Sequence, residues 1–170
     1  GSFFFTLPFN AVGTYSYTVS QVTGTAPGVT YDTATFDITV VVTDVNGQLQ
    51  TTVEAGEIQF ANTYVPAPAE ATISGQVSLT GRPMNAGEFS CVLMQNGQTV
   101  QTVTNDANGV FSFTLPFDAV GTYTYTLQQT KGTAPGVTYD DATFTITVTV
   151  ADVNGQLQTT VEAGKIQFAN

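Results

Sequence analysis

Apolar and polar residues alternate with a period of two along most of the chain. TFTITVTV at 143–150 sets Phe144, Ile146, Val148 and Val150 on one side and threonines on the other, the pattern of a half-buried strand. TFDITVVV at 35–42 does the same with Phe36, Ile38, Val40 and Val42. Tyr123, Tyr125 and Leu127 share a face within TYTYTLQQ, as do Phe111, Phe113 and Leu115 within FSFTL. DANG at 106–109, GTAPG at 132–136, DVNG at 152–155 and EAG at 162–164 punctuate these runs with turn residues. No stretch carries a helical period. Strands are expected near 71–79, 87–95, 98–104, 110–115, 121–129, 143–151, 156–161 and 165–169. Such strands predict an all-β fold of immunoglobulin-like antiparallel β-sandwich domains.

The pattern occurs twice. Residues 1–62 match 109–170 at an offset of 108, with 13 of the 62 positions differing. The chain is therefore expected to hold tandem domains: 1–64 with the later strands of one repeat, and 65–170 as a complete repeat. TYVPAPAEA at 63–71 is the boundary, where Pro66 and Pro68 favour an extended, semi-rigid connection. Residues 1–62 alone would expose half a core. Two readings stand: a window on a longer array, or early strands supplied by another molecule. The chain has two sets of late strands and one of early ones, which favours the window.

Composition narrows the function. The net charge is −10, from 13 acidic and 3 basic residues. That argues against a nucleic-acid partner, which needs cations against phosphate, and against electrostatic docking on anionic lipid. There is no histidine and a single cysteine, Cys91, within the apolar run EFSCVLM. A histidine-based catalyst, a His–metal site and an internal disulfide are excluded, and Cys91 is expected to be a buried, inert thiol. No apolar run of membrane-spanning length occurs, so no membrane insertion is expected in this segment. Abundant threonine with little lysine fits a secreted Gram-positive surface protein.

LTGRPMNAGEFS (79–90), NDANGVFSF (105–113), GTYTYT (121–126), GVTYDDATF (136–144), VNGQLQ (153–158) and IQFAN (166–170) follow one another in an order that resembles the pilin isopeptide-linkage domain of Gram-positive pilins and surface proteins. QFANTY at 59–64 resembles that family's closing motif. The resemblance implies a bond between a first-strand lysine and a last-strand asparagine, assisted by a buried acid. The lysine ammonium must shed its proton before attacking the amide, which an apolar site with a neighbouring carboxyl allows. The asparagine matches Asn170 and, in the earlier repeat, Asn62; the acid falls at Gln129 and Gln21; the lysine falls at Val77. Period-two parity turns Val77, Gln129 and Asn170 inward. These are degenerate cross-link positions, with the asparagine but neither nucleophile nor acid. The only lysines are Lys131, beside a turn, and Lys165, of outward parity. No Lys–Asn bond is expected, and the Gln129 amide is expected to pair with Asn170.

The remaining candidates read more simply. DVNG and DANG lack the acidic run and closing glutamate of a calcium loop and read as turns. Tyr139, Asp140 and Asp141 read as a solvated acidic loop, and Glu88 and Glu162 as carboxylates without a partner. A Thr–Gln ester needs an inward threonine opposite an inward glutamine, and Gln167 has outward parity. No catalytic residue, metal or cofactor is expected, and the chain is not expected to be an enzyme. The expected role is a structural repeat of an extracellular filament or cell-surface stalk. Its partners would be neighbouring repeats or copies of itself in a head-to-tail fibre. The alternative is an adhesin module for a host protein or glycan, with loops that vary between repeats; GTAPGVTYD is the same at 24–32 and 132–140.

Overall fold

The computed structural model describes all residues, 1–170, and divides them into two compact units, Gly1–Val65 and Pro66–Asn170. The chain is all-β. The first unit has β1 (Gly13–Ser20), β2 (Val29–Thr30), β3 (Thr35–Val45), β4 (Gln48–Ala55) and β5 (Thr63–Tyr64). The second has β6 (Ala69–Ser78), β7 (Ser90–Gln95), β8 (Gln98–Thr104), β9 (Val110–Phe117), β10 (Gly121–Gln129), β11 (Thr143–Val153), β12 (Gln156–Glu162) and β13 (Gln167–Ala169).

The second unit is a sandwich of a five-stranded sheet, β12-β11-β10-β7-β8, and a three-stranded sheet, β13-β6-β9. Alternation fills the space between them. Phe111, Phe113, Leu115 and Phe117 of β9 are buried together with Leu127 of β10, Ile146 and Val148 of β11, and Leu93 of β7. Phe168 of β13 lies at the centre, fully buried, with its ring 5.2 Å from Phe144 and 6.1 Å from Phe111. Edge and tilted contacts at these spacings add to the area term.

β6 is the middle strand of the small sheet. It runs antiparallel to β9, with Ile73 opposite Phe113, and parallel to β13, with Val77 opposite Phe168. The linker ahead of it also joins the sandwich. Ala67 donates to the Gly155 carbonyl and accepts from Leu157, and Thr159 Oγ1 donates to the Glu70 carbonyl. Residues 66–78 thus lace together three elements that are distant in sequence.

The strand expected from residue 87 begins only at Ser90. Gly87 adopts φ +75°, and Asn105 organises the loop: its Oδ1 accepts from the Phe89 amide and its Nδ2 donates to the Asn85 and Asp106 carbonyls. Glu88 has partners after all: it pairs with Arg82 and accepts from the Asn85 amide. The DVNG sequences close the β3–β4 and β11–β12 hairpins. Asp44 and Asp152 accept from Gly47 and Gly155, and Asn46 and Asn154 sit at φ near +55°, a region that asparagine tolerates.

In the first unit β1, β3 and β4 form one sheet, in the order β1-β3-β4, and β2 pairs with β5. Local bonds survive there: Tyr15 donates to the Ala11 carbonyl as Tyr123 does to that of Ala119. The segments equivalent to β9 and β13 do not form strands. TLPF is strand at 114–117 and irregular at 6–9. The two strands either side of β6 need β6 for their ladder, and the first unit has no such middle strand to pair them.

Candidate functional site

The parallel pairing of β6 with β13 brings the ends of the second unit's first and last strands together, and Asn170 follows β13 at that point. Its backbone continues the ladder: the Asn170 amide donates to the Ser78 carbonyl, and Thr80 donates to the Asn170 carbonyl. Its side chain turns inward onto Gln129, the last residue of β10 and buried. Gln129 Nε2 donates to Asn170 Oδ1 at 2.6 Å, and Asn170 Nδ2 donates back to Gln129 Oε1 at 3.2 Å.

Two further groups complete the arrangement. Asn170 Nδ2 also donates to the Ser78 carbonyl at 3.2 Å, and the Asp140 amide donates to Asn170 Oδ1 at 3.0 Å. Both donors and both acceptor positions of the Asn170 amide are therefore used. Three parts of the fold, β6, β10 and the loop before β11, converge on one primary amide.

Asp140, expected in a solvated acidic loop, has a specific task in the structure. Its carboxylate accepts from Ala169 at 2.7 Å and Ala142 at 2.9 Å, which ties the loop to β13. Asp32 repeats this in the first unit, accepting from Ala61 and Ala34 while its amide donates to Asn62 Oδ1. Periodicity gives no signal for these aspartates, because they lie in loops. Their presence in GVTYD at both 28–32 and 136–140 was the available clue.

Val77 is buried on the inward face of β6, and no lysine shares that face: Lys131 and Lys165 are both exposed. Cys91 is buried, and burial pushes its thiol up to about 12. It is held as the unreactive thiol form at neutral pH.

Among known protein families, the one described as FctA, the Spy0128-like isopeptide containing domain, matches residues 3–65 and 73–170. The chain belongs to this family. No curated protein sequence matches it. Among solved structures it is similar to the major pilin proteins T3.2 and T-13 of Streptococcus pyogenes. They share 17% and 18% identity with it, at TM-scores of 0.31 and 0.29, over 95% of this chain and 67% of each pilin. The Spy0128-like match includes both repeats, and in the second one it ends at Asn170.

Two measurements address the amide cluster directly. Gln129→Leu would leave Asn170 short of one donor and one acceptor within a buried setting. A loss of about 1–3 kcal/mol is expected, read as a lower urea midpoint; an unchanged midpoint would remove Gln129 from the account. The Ala169 bond first, and the Ala142 bond second, hold the Asp140 carboxyl below its usual pKa. A carboxylate with a depressed folded pKa stabilises above its unfolded value, about 3.9, and that stability is lost as pH falls through the folded value. Stability should therefore drop below about pH 4, and Asp140→Asn should flatten that dependence. Parallel pH profiles for the two proteins would contradict the role given to Asp140.

Proposed function

We propose that this chain is a structural repeat of an extracellular, pilus-like fibre on a Gram-positive cell surface, giving length and mechanical support without chemistry of its own. Its membership of the Spy0128-like family supports this reading. So does the repetition of the GTAPGVTYD loop, since repeats built for length have no need of varied loops.

One observation carries the mechanical part. The first and last strands of the second unit lie side by side and parallel, so the start of β6 and the end of β13 point to opposite ends of the sandwich. Tension between them loads their ladder in shear, and many bonds must fail together. The Asn170 cluster sits at the end of that ladder and ties it to the opposite sheet through Gln129. We read Val77, Gln129 and Asn170, with Gln21 and Asn62 in the first repeat, as cross-link positions at which hydrogen bonds serve in place of a covalent bond.

Intact mass under denaturing, reducing conditions tests the non-covalent reading: it should equal the sum of the residues, and a deficit of one ammonia would overturn it. Pulling the chain by its two ends tests the mechanical one. The second unit should open in a single high-force step that Gln129→Leu lowers. Gradual low-force peeling would rule out a load-bearing role.

A further inference from the structure

Four asparagines are followed by glycine: Asn46, Asn96, Asn108 and Asn154. A glycine has no side chain to keep its backbone nitrogen away from the preceding asparagine Cγ. Closure of a five-membered succinimide ring is therefore open to all four on sequence alone. What separates them in the structure is the group that holds the glycine amide.

Three of the four close two-residue hairpin turns of one backbone type. Asn46, Asn96 and Asn154 have φ of 55°, 51° and 53°, and Gly47, Gly97 and Gly155 have φ of 83°, 77° and 82°. Val45 faces Gln48, Gln95 faces Gln98 and Val153 faces Gln156 across them. The cost of rotating an asparagine from such a turn into the ring geometry is common to the three. The residue two places before the asparagine differs. In two turns it is Asp44 or Asp152, whose Oδ1 atoms accept from the Gly47 and Gly155 amides at 2.8 and 2.9 Å. In the third it is Met94, which offers no carboxylate, and the exposed Gly97 amide has no acceptor. The fourth pair, Asn108–Gly109, is held at several points. Gly109 donates to the Asp106 carbonyl and accepts from the Val77 amide, and Asp106 Oδ1 accepts from the Asn108 and Val110 amides.

We propose that Asn96 is a site of spontaneous modification, where the chain loses ammonia and gains a carboxylate, and that Asp44 and Asp152 guard Asn46 and Asn154 against the same change. The reaction needs only water and hydroxide. Hydroxide removes the Gly97 amide proton, and the nitrogen attacks Asn96 Cγ. The Cγ–Nδ2 bond then breaks, and the nitrogen leaves as ammonia with a proton from water. Water opens the ring at one of its two carbonyls. Attack at Cγ leaves aspartate, and attack at the backbone carbonyl leaves isoaspartate, with the chain running through Cγ. A carboxylate acceptor opposes the first step twice. It holds the amide proton, and its charge disfavours an anionic nitrogen beside it. A charge-assisted bond of this kind corresponds to a slowing of about tenfold or more. The product places a new negative charge at the tip of the β7–β8 hairpin, and the isoaspartate form lengthens that turn by one backbone atom. The inference is independent of any load-bearing role.

The test is incubation of the intact chain in mildly alkaline buffer, followed by proteolysis and mass mapping of the peptides. A gain of one mass unit, with isoaspartate separated from aspartate by chromatography, is expected first at Asn96. Asn46 and Asn154 should react at least about tenfold more slowly. Asp44→Ala and Asp152→Ala should raise the rates at Asn46 and Asn154 by about that factor without changing Asn96, and Met94→Asp should slow Asn96. In urea that unfolds the chain, the four rates should converge. Equal rates in the folded chain, or guarded sites unmoved by loss of their aspartates, would overturn the proposal. So would a ranking that persists in urea, since its cause would then be local sequence and not the turns. The ring intermediate lacks one ammonia, as a Lys–Asn bond would, but its deficit vanishes on hydrolysis.

Discussion

A Val77→Lys, Gln129→Glu double variant is expected to lose one ammonia and to join residue 77 to Asn170 through an amide bond. The Asn170 cluster supplies the donors that this reaction would use. Asn170 Oδ1 receives two donors, Gln129 Nε2 and the Asp140 amide, which polarise the carbonyl towards attack at Cγ. A protonated glutamic acid at 129 can replace the Gln129 donor. Burial favours that neutral form and also favours loss of the lysine proton. The amine nitrogen then attacks Cγ, the amide nitrogen leaves as ammonia with a proton relayed by the carboxyl, and the carboxyl ends as it began. Mass spectrometry of the denatured protein would reveal the deficit. Its absence in a folded double variant would show that the Asn170 carbonyl is not presented to the inward face of β6. The single Val77→Lys variant buries an ammonium without an acid, and should be destabilised by several kcal/mol.

Phe168→Ala should cost about 3–5 kcal/mol, whereas Phe60→Ala should cost far less although the two sequences around them are the same. Phe168 is fully buried between β6, β9 and the five-stranded sheet, and the cavity left by its removal is walled by rigid strands. Phe60 touches Phe3 and Phe36 at the edge of an open cleft, and water can fill the space it vacates. Urea denaturation of each variant measures the difference. Equal losses would mean that the first unit is packed as tightly as the second in solution.

Alternation made the strands of the second unit legible, because both of its sheets pack on one core and nearly all inward positions are apolar. The inward turn of Gln129 and Asn170 follows from the same parity. The loop chemistry was not legible. Asp140, Asn105 and Glu88 act through backbone amides whose positions depend on how the chain bends, and a period of two carries no information about bends. The first unit marks a different limit. Residues 1–9 match 109–117 at all but two positions, yet only the second copy, with β6 beside it, forms a strand. Strand propensity becomes structure through a neighbour, and the neighbour is not encoded locally.

The pairing of β6 with β13 also governs the order of events when such a chain is made. Gln76 lies opposite Gln167, so the middle of the small sheet cannot close until the last strand of its own repeat has emerged. Contacts of such long sequence separation form slowly. Until then β6 presents an open ladder to any β13-like strand nearby. An array of repeats as alike as these offers the wrong one: IQFAN at 58–62 and at 166–170 is the same sequence. Mispairing between neighbours is therefore the characteristic error of the architecture. Emergence of the chain one repeat at a time, with each closing before the next appears, would suppress that error without any change in sequence.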